Sequence, residues 1–173
     1  MRMPGVAVVL GLVLVLAGVG GCGDQEKGSV SYTKPCELLK TDEVQKASGV
    51  TVVSKDFTDT NPDGRDTHEC RWQDPKLPPE SFVLRLKVRP DKTLCGAATD
   101  GQTTTLPDLG DGGYVTLRLD NTSIEVGAVR DKYCMRGFAS QQPADTTTPM
   151  PDGDTTPAEL QDLVKTALNR LAD

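Results

Sequence analysis

Histidine is nearly missing from this chain: His68 is the single one among 173 residues. Zinc sites and imidazole-based proton transfer both lean on histidine, so the scarcity removes their commonest forms. No Cys-x-x-Cys pair occurs, and the Gly-x-Ser-x-Gly of the hydrolase nucleophile elbow is absent. Aromatic residues are few, with one Trp, three Phe and three Tyr. The core they can build is thin, and a thin core usually needs covalent help. Basic residues are outnumbered, 19 Lys and Arg against 25 Asp and Glu. Nucleic-acid binding rests on basic patches that neutralise phosphates, so this balance argues against it. By composition it also argues against direct electrostatic adhesion to anionic lipid.

What is present begins at the N-terminus. Residues 1–21 read MRMPGVAVVLGLVLVLAGVGG, a single charge at Arg2 followed by an apolar run from Val6 to Val19. Small residues and a cysteine close it, Val19-Gly20-Gly21-Cys22. A basic tip, an apolar centre and a small-residue cleavage site make an export signal. The stretch resembles the lipobox of bacterial lipoproteins, with the Cys22 thiol as the position for a diacylglyceryl group. The run is short of the roughly 20 residues that span a bilayer, and no basic stop-transfer cluster follows it. The expectation is a signal peptide over 1–21, a flexible tether over 22–34 and one extracytoplasmic domain over 35–173. The protein would then sit at the cell membrane, held by its lipid. Without the signal the count is 18 basic to 25 acidic residues, a formal charge of −7.

Four cysteines remain: Cys36, Cys70, Cys95 and Cys134. An even number in an exported chain reads as two disulfides. Three pairings are open, and Cys36–Cys70 with Cys95–Cys134 is preferred because each joins neighbouring segments. Each bridge would contribute roughly 3–4 kcal/mol in the chain-entropy picture.

The rest of the chain reads as α+β. A short helix is expected after Thr41, with Asp42 and Glu43 in its first turn and Gly49 as its stop. Residues 50–54 should be extended and 56–66 a loop around Asn61-Pro62-Asp63-Gly64. A strand through Cys70 and Trp72 follows, with Trp72 on the same face as Cys70. The clearest strand is Ser81 to Arg89, where Phe82, Leu84, Leu86 and Val88 alternate with Val83, Arg85, Lys87 and Arg89. One face of it is apolar and the other mostly basic and wet, the habit of an antiparallel sheet exposed on one side. Leu94 to Ala98 reads as a helical turn, and Leu106 to Gly113 as a Gly/Asp turn. Tyr114–Leu119 and Ile124–Val129 form a hairpin, with Tyr133–Ala139 as a partner strand. Gln141 to Thr155 is a polar loop. The last helix is capped by Thr156, Pro157 and Glu159 and carries one apolar stripe from Leu160 to Leu171. The sum is an antiparallel sheet of five to six strands, the short N-terminal helix and the long C-terminal helix packed on one face, stapled by disulfides.

Pro35-Cys36-Glu37-Leu38-Leu39 with Glu43-Val44, then Cys70-Arg71-Trp72, then Leu109-Gly110-Asp111-Gly112, form a recognisable series. The series resembles the actinobacterial lipoproteins grouped as domain-of-unknown-function family 3558. The resemblance runs from Pro35 to Ala172 and departs at Asp108, where the family has Gly. It implies an envelope location and an α+β shape, and it brings no catalytic residues.

Few residues suggest chemistry. Asp59-x-Asn61-x-Asp63-Gly64 matches the first half of a calcium loop, but the twelfth position falls on Cys70 rather than on Glu. Asp59, Asn61 and Asp63 are thus a weak metal candidate, and a solvated acidic turn is the stronger reading. His68 reads as a strand-edge residue, and Asn121-Thr122-Ser123 and Gly110-Asp111-Gly112-Gly113 as turns. No cofactor, metal centre or catalytic residue is expected. The expectation is a non-enzymatic domain whose partners are the membrane, through its lipid, and an envelope protein or small apolar ligand. A carrier of lipid would instead need a dry cavity between sheet and last helix, and an envelope hydrolase would need converging carboxylates or His68.

Overall fold

Leu84–Arg89 behaves as its alternation demands: Leu84, Leu86 and Val88 are buried while Arg85, Lys87 and Arg89 stand on the other side. The computed structural model describes residues 30–60, 66–76, 83–118, 123–140 and 155–172. Around this strand the chain builds a four-residue helix α1 (Pro35–Leu38), α2 (Thr41–Ser48), β1 (Val53–Asp59), β2 (Thr67–Gln73), β3 (Leu84–Arg89), β4 (Gly101–Leu106), β5 (Gly113–Arg118), β6 (Ser123–Arg130), β7 (Tyr133–Ser140) and α3 (Pro157–Arg170). A 3-10 turn over Lys92–Leu94 precedes β4. All strand pairs are antiparallel, and the spatial order is β1-β2-β3-β7-β6-β5-β4.

The α+β class and the antiparallel sheet agree with the sequence, but the strand count of five to six is too low. Seven strands are present among the described residues. Of the two edges, β1 is expected from the sequence only over the extended stretch 50–54 and β4 not at all. In β1 every residue but Phe57 is exposed, and in β4 only Gly101 and Leu106 are half-buried. Such strands are held by ladder hydrogen bonds to one neighbour and not by burial, so they carry no apolar alternation to read. β1 therefore occupies part of the segment expected to be a loop.

Other expectations shift by a residue or two. Lys40, not Thr41, is the N-cap of α2, and its backbone N–H donates to Glu43 Oε2 at 2.8 Å. Gly49 ends that helix in the left-handed region, at φ 71°. The turn expected at Leu94–Ala98 is the 3-10 turn just before it, where Asp91 Oδ1 accepts from the Thr93 N–H at 2.9 Å. The cap of α3 is as expected: the Thr156 and Glu159 side chains each accept from the other's backbone N–H.

The bridges are Cys36–Cys70 and Cys95–Cys134, with Cα separations of 5.0 and 5.2 Å. The first ties α1 to β2, and the second ties the segment after the 3-10 turn to β7. Trp72 is fully buried beside Cys70's strand position, on the apolar face.

The core lies between that face and α3. Leu160, Val164, Ala167 and Leu168 of the helix meet Val126, Ala128, Met135 and Ala139 of β6 and β7 in one apolar cluster. Gly137 marks the closest fit: a Cβ there would lie 2.6 Å from Val164 Cγ2 and 3.2 Å from Leu160 Cδ1. Among the described residues no helix is long and apolar enough to cross a membrane. The Gly137→Ala variant should lose about 1–3 kcal/mol through overpacking, read as a lowered urea midpoint with an unchanged slope. A midpoint equal to the parent's would mean that α3 does not rest on β7.

Candidate functional site

Among the described residues no α-helix lies on the second face of the sheet; the segment after the 3-10 turn, bonded through Cys95 to Cys134, covers one end of it. The strand registers place Lys55 opposite Arg71, Arg71 opposite Arg85, Lys87 opposite Arg136 and Arg85 opposite Phe138, all on this one side. Like charges directly opposite one another repel across a ladder. Two kinds of group offset that repulsion.

The first is a pair of buried carboxylates. Glu69, 5% exposed, accepts from Arg71 Nε and lies 3.0 Å from Lys87 Nζ. Burial alone would raise its pKa, but the hydrogen bonds and charges of Arg71 and Lys87 outweigh burial and hold it below the usual carboxylate range. Glu125, 1% exposed, accepts through Oε1 from Arg136 Nε at 2.7 Å and from the Tyr114 hydroxyl at 2.5 Å. Its Oε2 has no hydrogen-bond partner. The second kind is aromatic. Phe138 has the guanidinium carbons of Arg85 and Arg136 each 5.1 Å from its ring centre and Lys87 Nζ at 5.9 Å. Phe57 has Arg71 at 4.2 Å and Lys55 at 5.2 Å. Each cation gains from a ring's negative face.

Tyr114 closes one end of this surface. Its ring lies against the backbone of Gly127, its cross-strand partner, where a Cβ would sit 2.3 Å from ring carbons. Its hydroxyl also lies 2.9 Å from the Gly96 carbonyl. Burial first, and then donation to Glu125, push the phenol pKa far above its ordinary value. It is therefore a fixed donor and not a base at neutral pH.

A second concavity, of about 330 Å³, lies between the Gly/Asp turn and α3. Asp108, Asp111, Arg130, Lys165 and Asn169 are among its lining residues. Several of these have structural duties. Asp111 Oδ2 accepts from the Asp131 N–H at 2.6 Å, and Arg130 donates to the Leu168 carbonyl. Gly110, at φ 64°, brings the turn so near β6 that a Cβ would meet the Val129 carbonyl oxygen at 2.2 Å. The glycine-rich stretch is thus a clamp on the strand end, as the turn reading has it.

Comparison of the chain with protein-family models, with curated proteins and with solved structures finds no match.

Cys22, Asn61 and Asp63 lie outside the described residues, as do Asn121 and Thr122. Asp59 is the exposed last residue of β1. His68 lies on the helix side of β2, with its Nδ1 3.3 Å from Thr58 Oγ1 and the Tyr32 ring edge-on at 5.4 Å. Those contacts are a hydroxyl and a ring, without a carboxylate to orient the imidazole among the described residues. Cys36, Asp56 and Cys70 come within metal-ligand spacing, but both sulfurs are consumed by their disulfide. The sequence reading missed the Glu69 and Glu125 ion pairs. Only the basic side of β3 hinted at them.

Glu69 should contribute to the acid limb of stability, alongside Glu43 and Glu159, whose pKa values are also held low. Its folded pKa is depressed, so its contribution is present above the ordinary carboxylate value and is lost as pH falls through the folded one. Glu69→Gln should cost about 2–4 kcal/mol at pH 7 and flatten the fall in stability below about pH 4.5. Unfolding midpoints across pH 3–7 check this, and an unaltered acid limb would show that the carboxylate is not held low.

Proposed function

We propose that the protein is a lipid-anchored extracytoplasmic binding domain, tethered through Cys22 and presenting the open sheet face to its ligand. The observation that carries the reading is the arrangement on that face. Cations of β1, β2, β3 and β7 are fixed by buried Glu69 and Glu125 and by Phe57 and Phe138. Groups fixed in advance lose little freedom when a partner arrives, which favours binding. The N-terminal stretch supports the location: an apolar run that ends in Gly20-Gly21-Cys22 suits acylation of the thiol. The resemblance to the actinobacterial lipoproteins points to the same address.

A carrier of apolar cargo fits less well. Such cargo would lie between the sheet and α3, and at Gly137 that space does not admit a methyl group. A hydrolase is also less favoured, because both buried carboxylates are occupied by cations and the phenol of Tyr114 is held protonated.

The Cys22→Ser variant tests the anchor. It should abolish the acyl mass increment on the mature protein and move the protein from the membrane fraction to the soluble one. Unchanged membrane fractionation of a protein that still carries lipid would overturn the anchor.

A further inference from the structure

From the open sheet face we infer a docking surface for anionic lipid headgroups, one that lays the domain face-down on its membrane. This inference deepens the lipid-anchored reading and rests on it. Net charge speaks against such contact, since the chain has 25 acidic residues to 19 basic ones. Net charge, however, does not determine the field at one surface; the distribution does. On this face Lys55, Arg71, Arg85, Lys87 and Arg136 stand over four adjacent strands, and the carboxylates facing them, Glu69 and Glu125, are buried. Five cations against two carboxylates leave an excess of three positive charges among the described residues of β1, β2, β3, β6 and β7 on this face, inward of Asp59 and Arg89.

The occupant follows from the shape of the array. Its cations are spread in a lattice three strand spacings wide, roughly 14 Å. A single small anion touches one or two of them, whereas a layer of headgroups meets all. Half-buried Phe57 and Phe138 have guanidinium groups over their rings, and apolar rings beside cations suit the headgroup boundary. The tether brings this face within reach. Seven residues separate Cys22 from Val30, which pairs with Leu171. Fully extended, those eight steps reach at most roughly 28 Å. Tyr32 then packs on Tyr133 and His68, at the ends of β7 and β2. The chain thus leaves from the helix side at the end of the sheet, and the remaining tether has to reach round that end for the open face to turn down. A short tether also keeps the local headgroup concentration high.

The test uses the mature lipidated protein in vesicles of phosphatidylcholine alone, or with about a third phosphatidylglycerol. Amine acetylation followed by mass spectrometry reads Lys55 on the open face against Lys46 and Lys165 on the helices. With phosphatidylglycerol, Lys55 should react roughly fivefold more slowly, the discrimination expected of one cation at an anionic surface. Lys46 and Lys165 should keep their rates, and about 0.5 M salt should remove the effect. An Arg71→Gln and Arg85→Gln pair of single variants should each weaken the protection, with near-native circular dichroism as the folding control. Equal Lys55 rates in the two vesicle types would overturn the inference. So would protection by soluble polyglutamate with none by phosphatidylglycerol, which would assign the face to an acidic protein. Failure of the anchor is seen separately: protein that lacks an acyl mass but gains Lys55 protection from added phosphatidylglycerol vesicles refutes the tether and keeps the docking face.

Discussion

Helix α3 lies on β7 with no room for a methyl group at Gly137, and most of the architecture follows from that contact. A strand presents alternate residues to opposite sides. Once Gly137, Met135 and Ala139 face the helix, Arg136 and Phe138 must face away from it. The same alternation passes through the ladder to β3, β6 and β2, because a register slip of one residue would bury arginines and expose leucines. Full burial of a large aliphatic side chain is worth about 1.5–3 kcal/mol, so a slip that turned out Leu84, Leu86 and Val88 would exceed the whole stability of a typical small domain when its partners slipped too.

The charges on the far face are a consequence that the fold has to tolerate. Arginines at neighbouring positions on adjacent strands raise one another's energy, and burial adds to that: Arg85 has its pKa lowered first by desolvation, with Glu69 opposing the change. Glu69 serves Arg71 on its own strand and Lys87 on β3, and Glu125 serves Arg136 on β7. A surface built in this way is costly for folding alone. Its retention is easier to understand if the cations have a use outside the domain, and the rings of Phe57 and Phe138 make the same point because they face the cations rather than the core.

Part of this was legible in the residues. Leu84–Arg89, the β5–β6 hairpin, β7 and α3 carry period-two or helical patterns because each is half-buried, and burial is what hydrophobic periodicity records. β1 and β4 are not half-buried, so β4 leaves no pattern and β1 shows only its β-branched start. The candidate site was legible only as the basic side of one strand. Glu125, Tyr114 and Arg136 are strangers in sequence, and only the β5–β6–β7 register brings Tyr114 and Arg136 opposite the same Gly127 beside Glu125. Cross-strand register depends on turn geometry and on packing of the whole sheet, neither of which a single strand's pattern contains.

The same distinction separates composition from surface. A formal count of charges treats every Asp and Arg as if solvent mixed them, whereas a sheet with one covered face sorts them. Glu43 illustrates the sorting from the other side. On the helical layer it meets Arg170 in a bidentate pair, both contacts at 2.7 Å, and the Arg170 hydrogen bond holds its pKa low. There a carboxylate and a cation satisfy one another and tie α2 to the end of α3, leaving little field outside. On the open face the carboxylates are buried and the cations lie above them, so the outward field keeps the sign of the cations. Identical chemical groups thus make a structural clamp on one layer and an outward-facing charged surface on the other, and the burial of the carboxylate decides which.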